Sequence, residues 1–211
     1  HAENIRIGGG EIVFDYVSPL GNISDVQLGV PVAINIENGI AAMALAQLSG
    51  VSNEDIKTGM ASFRGVDRRF DFKIKTDKVV YLSDYAHHPE EIKQSILSMR
   101  ALYEGKRLTG VFQPHLYTRT RDFYQEFADS LSLLDEVIIT DIYPARELPI
   151  EGVSSQLIYD NLRPDIDKIL CKKEEVIDIL KEKEIEVLMT LGAGDIENYA
   201  PQICKILDER C

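Results

Sequence analysis

From residue 79 onward, short apolar runs alternate with stretches of helical period, and this alternation constrains the fold more than anything else in the chain. Runs of strand length lie at 79–82, 108–112, 137–139, 168–170 and 186–191. Between them, apolar residues recur three or four apart. One such stretch starts at Pro89 and carries Ile92, Ile96, Met99 and Tyr103 on one face. A second, from about residue 118, turns Phe123, Phe127, Leu131 and Leu134 inward. A short helix capped by Ser154 or Ser155 runs to about 162, and one over 172–183 buries Val176, Ile177 and Leu180. Gly192-Ala193-Gly194-Asp195 leads into a last helix. Strands separated by helices pair in parallel, because each crossover returns the chain to the same edge. The expectation is an α/β domain over residues 66–211 with a mainly parallel, doubly wound sheet. Segment 72–75 pairs with 79–82 as a hairpin across Thr76-Asp77-Lys78.

Before residue 66 the pattern differs. Ile5-Arg6-Ile7 and the segment 11–17 read as a hairpin joined by Gly8-Gly9-Gly10, with a further apolar segment at 26–30. The glycine turn does not lead into a helix and lacks the G-x-x-x-x-G-K-S/T pattern, so it is no phosphate cradle. Residues 35–48 read as a helix with Ile40, Ala44 and Leu48 on one face. Ser49-Gly50 ends it, and Ser52 or Asn53 caps a second helix to about 63. Asn35 and Asn38 sit in a first helical turn, where a capping role is favoured over reading an adenine edge. Gly65-Val66-Asp67-Arg68-Arg69-Phe70 reads as a link between two domains, 1–65 and 66–211. Adjacent arginines are usually a solvated pair; in a hinge beside a nucleotide, Arg68 and Arg69 clamp phosphate oxygens.

The formal charge of −12 over 211 residues argues against broad binding to nucleic acid or an anionic membrane, which needs basic surface. Cys171, Cys204 and Cys211 are scattered, without metal-ligand spacing, and read as reduced thiols. No run is long enough to span a membrane, and the expected location is the cytoplasm.

Chemistry concentrates in the turns that follow strands. Asp84-Tyr85-Ala86-His87-His88-Pro89 joins a strand to a helix whose first turn holds Glu90 and Glu91. The positive end of that helix favours an anion beside His87 and His88, although one capping and one packed histidine is an equally good local reading. The second turn, Gln113-Pro114-His115-Leu116-Tyr117-Thr118-Arg119-Thr120-Arg121, is the stronger signal. Cations at a helix start cost roughly 0.3–1 kcal/mol each against the dipole. A charged hydrogen bond to an anionic ligand returns about 1.5–3 kcal/mol. The second term wins, so this turn reads as a carboxylate or phosphate site. Asp141-Ile142-Tyr143-Pro144-Ala145-Arg146-Glu147 is a third polar loop placed to contribute.

Together these three turns and Gly192-Ala193-Gly194-Asp195-Ile196 resemble the Mur ligase family, from about Pro31 to the last helix. The resemblance implies the tail of a central ATPase domain followed by a Rossmann-like C-terminal domain, without the phosphate-binding loop. The fragment alone is then expected to be inactive, lacking the N-terminal domain and most of the central one. For the whole enzyme it implies an ATP- and Mg2+-dependent ligase that joins L-alanine to UDP-N-acetylmuramate through an acyl phosphate, in peptidoglycan precursor synthesis. Asn35 and Asn38 would lie near adenine, and Arg68 or Arg69 would reach the ATP phosphates. Asp84, Tyr85 and His87 or His88 would line the cleft. His115 and Arg119 would hold the L-alanine carboxylate, with Arg121 in support. No metal ligand is implied in this chain. Ile34 stands where the family often has histidine, and Leu116 where many members have arginine. Two alternatives are a murein peptide ligase of the same family and a non-catalytic anion- or nucleotide-binding α/β domain. A dinucleotide oxidoreductase would need a G-x-G-x-x-G turn where this chain has Asp84 to Pro89.

Overall fold

A computed structural model describes residues 1–209, so Cys211 lies outside the described residues. The chain divides into two compact units: residues 1–66 with 98–105, and residues 67–97 with the chain from 106 onward.

In the first unit, β1 (Ala2–Gly8), β2 (Glu11–Tyr16) and β3 (Ile23–Gln27) form an antiparallel sheet in that order. The β1–β2 turn is as expected, with Gly9 and Gly10 at φ +58° and +77°, which glycine adopts without a Cβ penalty. Ile12, Phe14 and Tyr16 alternate into the core and meet Val26. Helix α1 (Ile34–Leu48) and helix α2 (Asn53–Ser62) follow. Ser52 caps α2, its Oγ accepting the Asp55 N–H at 3.1 Å. Two expectations fail in α1. The buried stripe is Ile36, Gly39 and Met43 rather than Ile40, Ala44 and Leu48, and Leu48 is 71% exposed. The helix is apolar on more than one face, and Gly39 decides between them: a Cβ there would meet Met60 Cε of α2 at 2.8 Å. Nor do Asn35 and Asn38 cap the helix, whose N-cap is Ala33. The Asn35 amide donates to the Val30 carbonyl at 3.1 Å, and Asn38 donates to Asn35 Oδ1 at 3.1 Å.

The second unit is built on a sheet of β4 (Asp71–Lys75), β5 (Val80–Asp84), β6 (Leu108–Phe112), β7 (Glu136–Ile139), β8 (Asp167–Leu170) and β9 (Val187–Leu191). Their order across the sheet is β4-β5-β9-β6-β7-β8, parallel except for β4. The α/β class and the hairpin of β4 with β5 are as expected. Helices α3 (Pro89–Leu102), α4 (Tyr117–Leu131), α5 (Gln156–Asn161), α6 (Val176–Lys181) and α7 (Ala200–Asp208) join or follow the parallel strands. One sheet face packs Tyr81, Val111, Ile138 and Leu188 against Val176 and Leu180 of α6 and Ile203 and Leu207 of α7. Alternate strand residues point the other way, where the Phe112 ring lies tilted against Phe127 of α4, centroids 5.3 Å apart.

Several helices are shorter or bent relative to the sequence pattern. Leu102 rather than Tyr103 completes the buried stripe of α3, Tyr103 being half-buried beyond the helix end. The 172–183 helix splits into a 3-10 turn, Lys173–Glu175, and α6. Ser155 stands at the N-cap position of α5 but turns its hydroxyl to the buried Thr140 carbonyl at 2.5 Å, and the Ser154 Oγ accepts the Gln156 N–H at 3.3 Å instead. Phe123 leaves helical geometry at φ −129°, kinking α4, and stays half-buried.

The winding reverses at β9. The chain steps outward from β6 to β8, then returns to insert β9 between β5 and β6. The turns that leave β5, β6, β7 and β9 therefore share the C-terminal edge of the sheet at a reversal point, where ligands of such folds bind.

Candidate functional site

Four aromatic side chains from three turns line up on that edge. Tyr85 and His87 follow β5, His115 follows β6 and Tyr143 follows β7. Ring centroids are 5.1 Å apart for Tyr85 and His87, 6.0 Å for His87 and His115, and 5.6 Å for His115 and Tyr143, the last pair nearly parallel. Backbone bonds lock the β6 and β7 turns together: Leu116 N–H donates to Tyr143 O at 3.0 Å, and Tyr143 N–H to Pro114 O at 2.8 Å. Arg119, in the first turn of α4, brings Nη1 to 3.4 Å from His115 Nδ1.

The β9 turn supports this row from below. Gln113 is buried; its amide donates to Asp195 Oδ1 at 2.8 Å and its Oε1 accepts the Ile196 N–H at 3.0 Å. Lys173 pairs with Asp195 at 2.5 Å. Partial burial works against the Asp195 charge, but the bonds from Lys173 and Gln113 outweigh it and hold the carboxyl below its usual range. Gly194 lies so close that a Cβ would stand 2.8 Å from the Tyr143 side chain.

Burial pushes His115 below the ordinary imidazole range, with Arg119 and His87 adding to it and Glu147 opposing. The ring is thus held neutral near pH 7. Glu147 acts instead on the helix: its carboxylate accepts the N–H and hydroxyl of Thr118 at the start of α4, which lowers its own pKa. The end of α4 expected to attract a free anion is therefore already answered by an internal carboxylate. Arg119 is the cation beside His115.

The turn after β5 splits its histidines. His87 joins the row, its Nδ1 at 2.9 Å from Tyr85 O, which makes that nitrogen the donor, and at 3.3 Å from Glu91. His88 leaves it, packing edge-on against Phe123 at 5.1 Å, in a groove with Glu90, Lys93, Glu126 and Asp129. Glu91 accepts both histidine N–H groups and so caps α3.

Other expected site residues are employed elsewhere. Asp84 is half-buried; Phe70 N–H donates to Oδ1 at 3.2 Å and Ser95 donates to Oδ2. Burial raises its pKa against those bonds. It fastens the 67–71 segment to β5 rather than facing a ligand. Arg68 ion-pairs with Glu197, donates to Gly194 O at 3.2 Å and lies 4.6 Å over the Tyr85 ring. Its backbone, at φ +69°, accepts the Tyr85 N–H at 2.6 Å. Arg69 is exposed and makes no hydrogen bond or ion pair among the described residues. Arg121 pairs with its neighbour Asp122 at 2.7 Å, out in solvent. Asn35 and Asn38 belong to the first unit. Among the described residues no group of three His, Cys, Asp or Glu side chains is arranged to hold a metal. Tyr143 and Glu147 are the participants to which the sequence pattern assigned no role. Their only signal was membership of a polar loop following a strand.

A doubly wound α/β unit whose winding reverses at an inserted central strand is a Rossmann-like domain. The family model for the Mur ligase glutamate ligase domain matches residues 68–196, and the chain belongs to the Mur ligase family. It is 78% identical over 210 residues to the UDP-N-acetylmuramate–L-alanine ligase of Phocaeicola vulgatus, covering 100% of this chain and 46% of that protein. It is 58% identical over 207 residues to the enzyme of that name from Parabacteroides distasonis, covering 98% of this chain and 45% of the relative. The chain thus spans about half the length of these curated relatives. The crystal structure of the UDP-N-acetylmuramate–alanine ligase of Thermotoga maritima superposes over 100% of this chain and 46% of its own, with a TM-score of 0.78 at 23% identity. A murein peptide ligase from Psychrobacter arcticus gives 0.60 at 17% identity, covering 98% of this chain and 43% of its own. At such identities the likeness speaks to the fold alone.

Proposed function

We propose that this chain is the amino-acid-handling part of an ATP-dependent ligase that joins L-alanine to UDP-N-acetylmuramate in peptidoglycan precursor synthesis, acting in the cytoplasm. Residues 1–65 would be the end of its central ATP-binding domain and 66–211 its C-terminal domain. The observation that carries this reading is the high identity, over the whole chain, to proteins named for that reaction. The site supports it: Arg119 is a cation without a carboxylate partner among the described residues, beside a neutral histidine, and suits a small zwitterion. No helix among the described residues is long and apolar enough to cross a membrane.

In this reading Arg119 binds the L-alanine carboxylate, and Tyr85, His87 and His115 wall the pocket. Arg69 reaches toward the ATP phosphates, while Arg68 holds the segment that carries it. Asn35 and Asn38 remain the candidates for adenine. The described residues offer no ligand set for magnesium, which would be held by the rest of the ligase. The chain has no phosphate loop and would neither hydrolyse ATP nor ligate alone.

The test is ligation of L-alanine to UDP-N-acetylmuramate by the full-length protein, parent beside Arg119→Ala. A parent that ligates, with the L-alanine KM rising roughly ten- to a hundredfold in the variant, supports the reading. A parent that accepts a peptide instead is a murein peptide ligase. One that ligates nothing removes the enzyme claim.

A further inference from the structure

We propose that His115 accepts the proton from the incoming amino acid's ammonium, and that the amino acid's own carboxylate arms it by drawing Arg119 away from the ring. The proposal rests on the ligase reading above and adds a catalytic role to a residue assigned there only to the pocket wall.

The geometry starts from the nitrogen pair. Arg119 has only donors, so the His115 nitrogen that faces it at 3.4 Å presents its lone pair, and the ring proton sits on Nε2. Without substrate that lone pair is engaged by a cation and the ring is a poor base. An amino acid changes both conditions. Its carboxylate takes the guanidinium, for which it is the better acceptor. One carbon joins the carboxylate to the amine, so the ammonium arrives beside the ring that stood next to the same guanidinium. The groups that face His115 are Arg119 from α4, His87 from the β5–α3 turn, and Tyr143 and Glu147 from the loop after β7. Of these, Arg119 is the permanent positive charge. Neutralising it frees the Nδ1 lone pair and removes the charge that adds to burial in weakening the ring as a base, when a proton has to be taken. His87 is less suited, because its Nδ1 is committed to Tyr85 O and Glu91.

The step balances. An ammonium N–H bond breaks and its proton passes to His115 Nδ1, leaving an imidazolium and a free amine. The amine lone pair attacks the acyl carbon of the acyl phosphate formed from ATP. The C–N bond forms and the C–O bond to phosphorus breaks, its electron pair leaving with phosphate. The second amine proton goes to the departing phosphate, and the imidazolium returns its proton to solvent.

The experiment uses the full-length ligase and its His115→Asn variant, with L-alanine and with hydroxylamine as the nucleophile. Hydroxylamine is largely unprotonated at neutral pH and needs no base to trap the acyl phosphate. With L-alanine, the variant's kcat is expected to fall about 100- to 1,000-fold, its KM to stay within about threefold, and its rate to keep rising with pH where the parent levels off. With hydroxylamine, both proteins should form hydroxamate at rates within about threefold. Equal loss with both nucleophiles overturns the proposal, since His115 would then serve folding or phosphorylation. An unchanged kcat with L-alanine also overturns it, as does a nucleophile-selective loss in His87→Asn but not in His115→Asn. If the parent itself forms no hydroxamate from ATP and UDP-N-acetylmuramate, the ligase reading fails first.

Discussion

Replacing Gly194 with alanine tests how the edge of the sheet is held. The new Cβ would stand 2.2 Å from Gln113 Oε1 and 2.8 Å from Cβ and Cγ of Tyr143. Gln113 is only 3% exposed, and both ends of its amide are in use, one by Asp195 and the other by the Ile196 N–H. It cannot swing aside without leaving a buried N–H unanswered. Overpacking a filled site costs about 1–3 kcal/mol, and an unsatisfied buried donor about 1–3 kcal/mol. Partial relaxation trades one against the other, so the net expectation is a loss of about 2–4 kcal/mol. For a chain of this size that lowers Tm by roughly 5–15 °C. The assay is urea and thermal unfolding followed by circular dichroism, with Gly59→Ala in α2 as the control. There a Cβ meets nothing within 4 Å, and alanine should add about 0.5–1 kcal/mol. A Gly194→Ala protein within about 0.5 kcal/mol of the parent would refute the reasoning, because Gln113 would then have to be free to move.

Three further outcomes follow from the same structure. The two aspartates at the edge should give opposite pH slopes, read as urea midpoints from about pH 3 to 8. Asp84 binds its proton more tightly when folded, so its contribution declines as pH rises from the ordinary carboxylate range through its raised value, and Asp84→Asn should remove that decline. Asp195 is shifted the other way, so its contribution is present above the ordinary range and is lost as pH falls through the lowered value; Asp195→Asn should flatten the acid limb. Leu116 holds φ +76°, a strained geometry for a branched side chain, and Leu116→Gly is expected to stabilise by up to about 1 kcal/mol in thermal unfolding, after the entropy cost of glycine. Met43, fully enclosed in the first unit, should cost about 2–5 kcal/mol as Met43→Ala in urea unfolding, whereas truncating exposed Leu48 on the same helix should change little.

Local chemistry was enough to foresee the elements. Period-two and period-four patterns, Gly9-Gly10 in a turn and Ser52 at a helix start all act over a few residues, so the α/β class, the hairpins and the polar turns after β5, β6 and β7 were legible in the sequence. What the turns do with their side chains was not. His87 and His88 are neighbours of one chemistry, and only the packing of Phe123 at the kink in α4 draws one of them away from the row. Asp84, Arg68 and Arg121 all looked available, but their partners are Ser95, Glu197 and Asp122, and of these only Asp122 is near in sequence. Burial chose the α1 face containing Gly39, because α2 needed to come close there. The return of β9 between β5 and β6 brings Gly194 and Asp195 beneath Gln113, some eighty residues earlier in the chain. Periodicity and capping are encoded residue by residue. Which of several equivalent polar groups ends up facing a cleft is decided by contacts between distant segments, and those exist only once the sheet has closed.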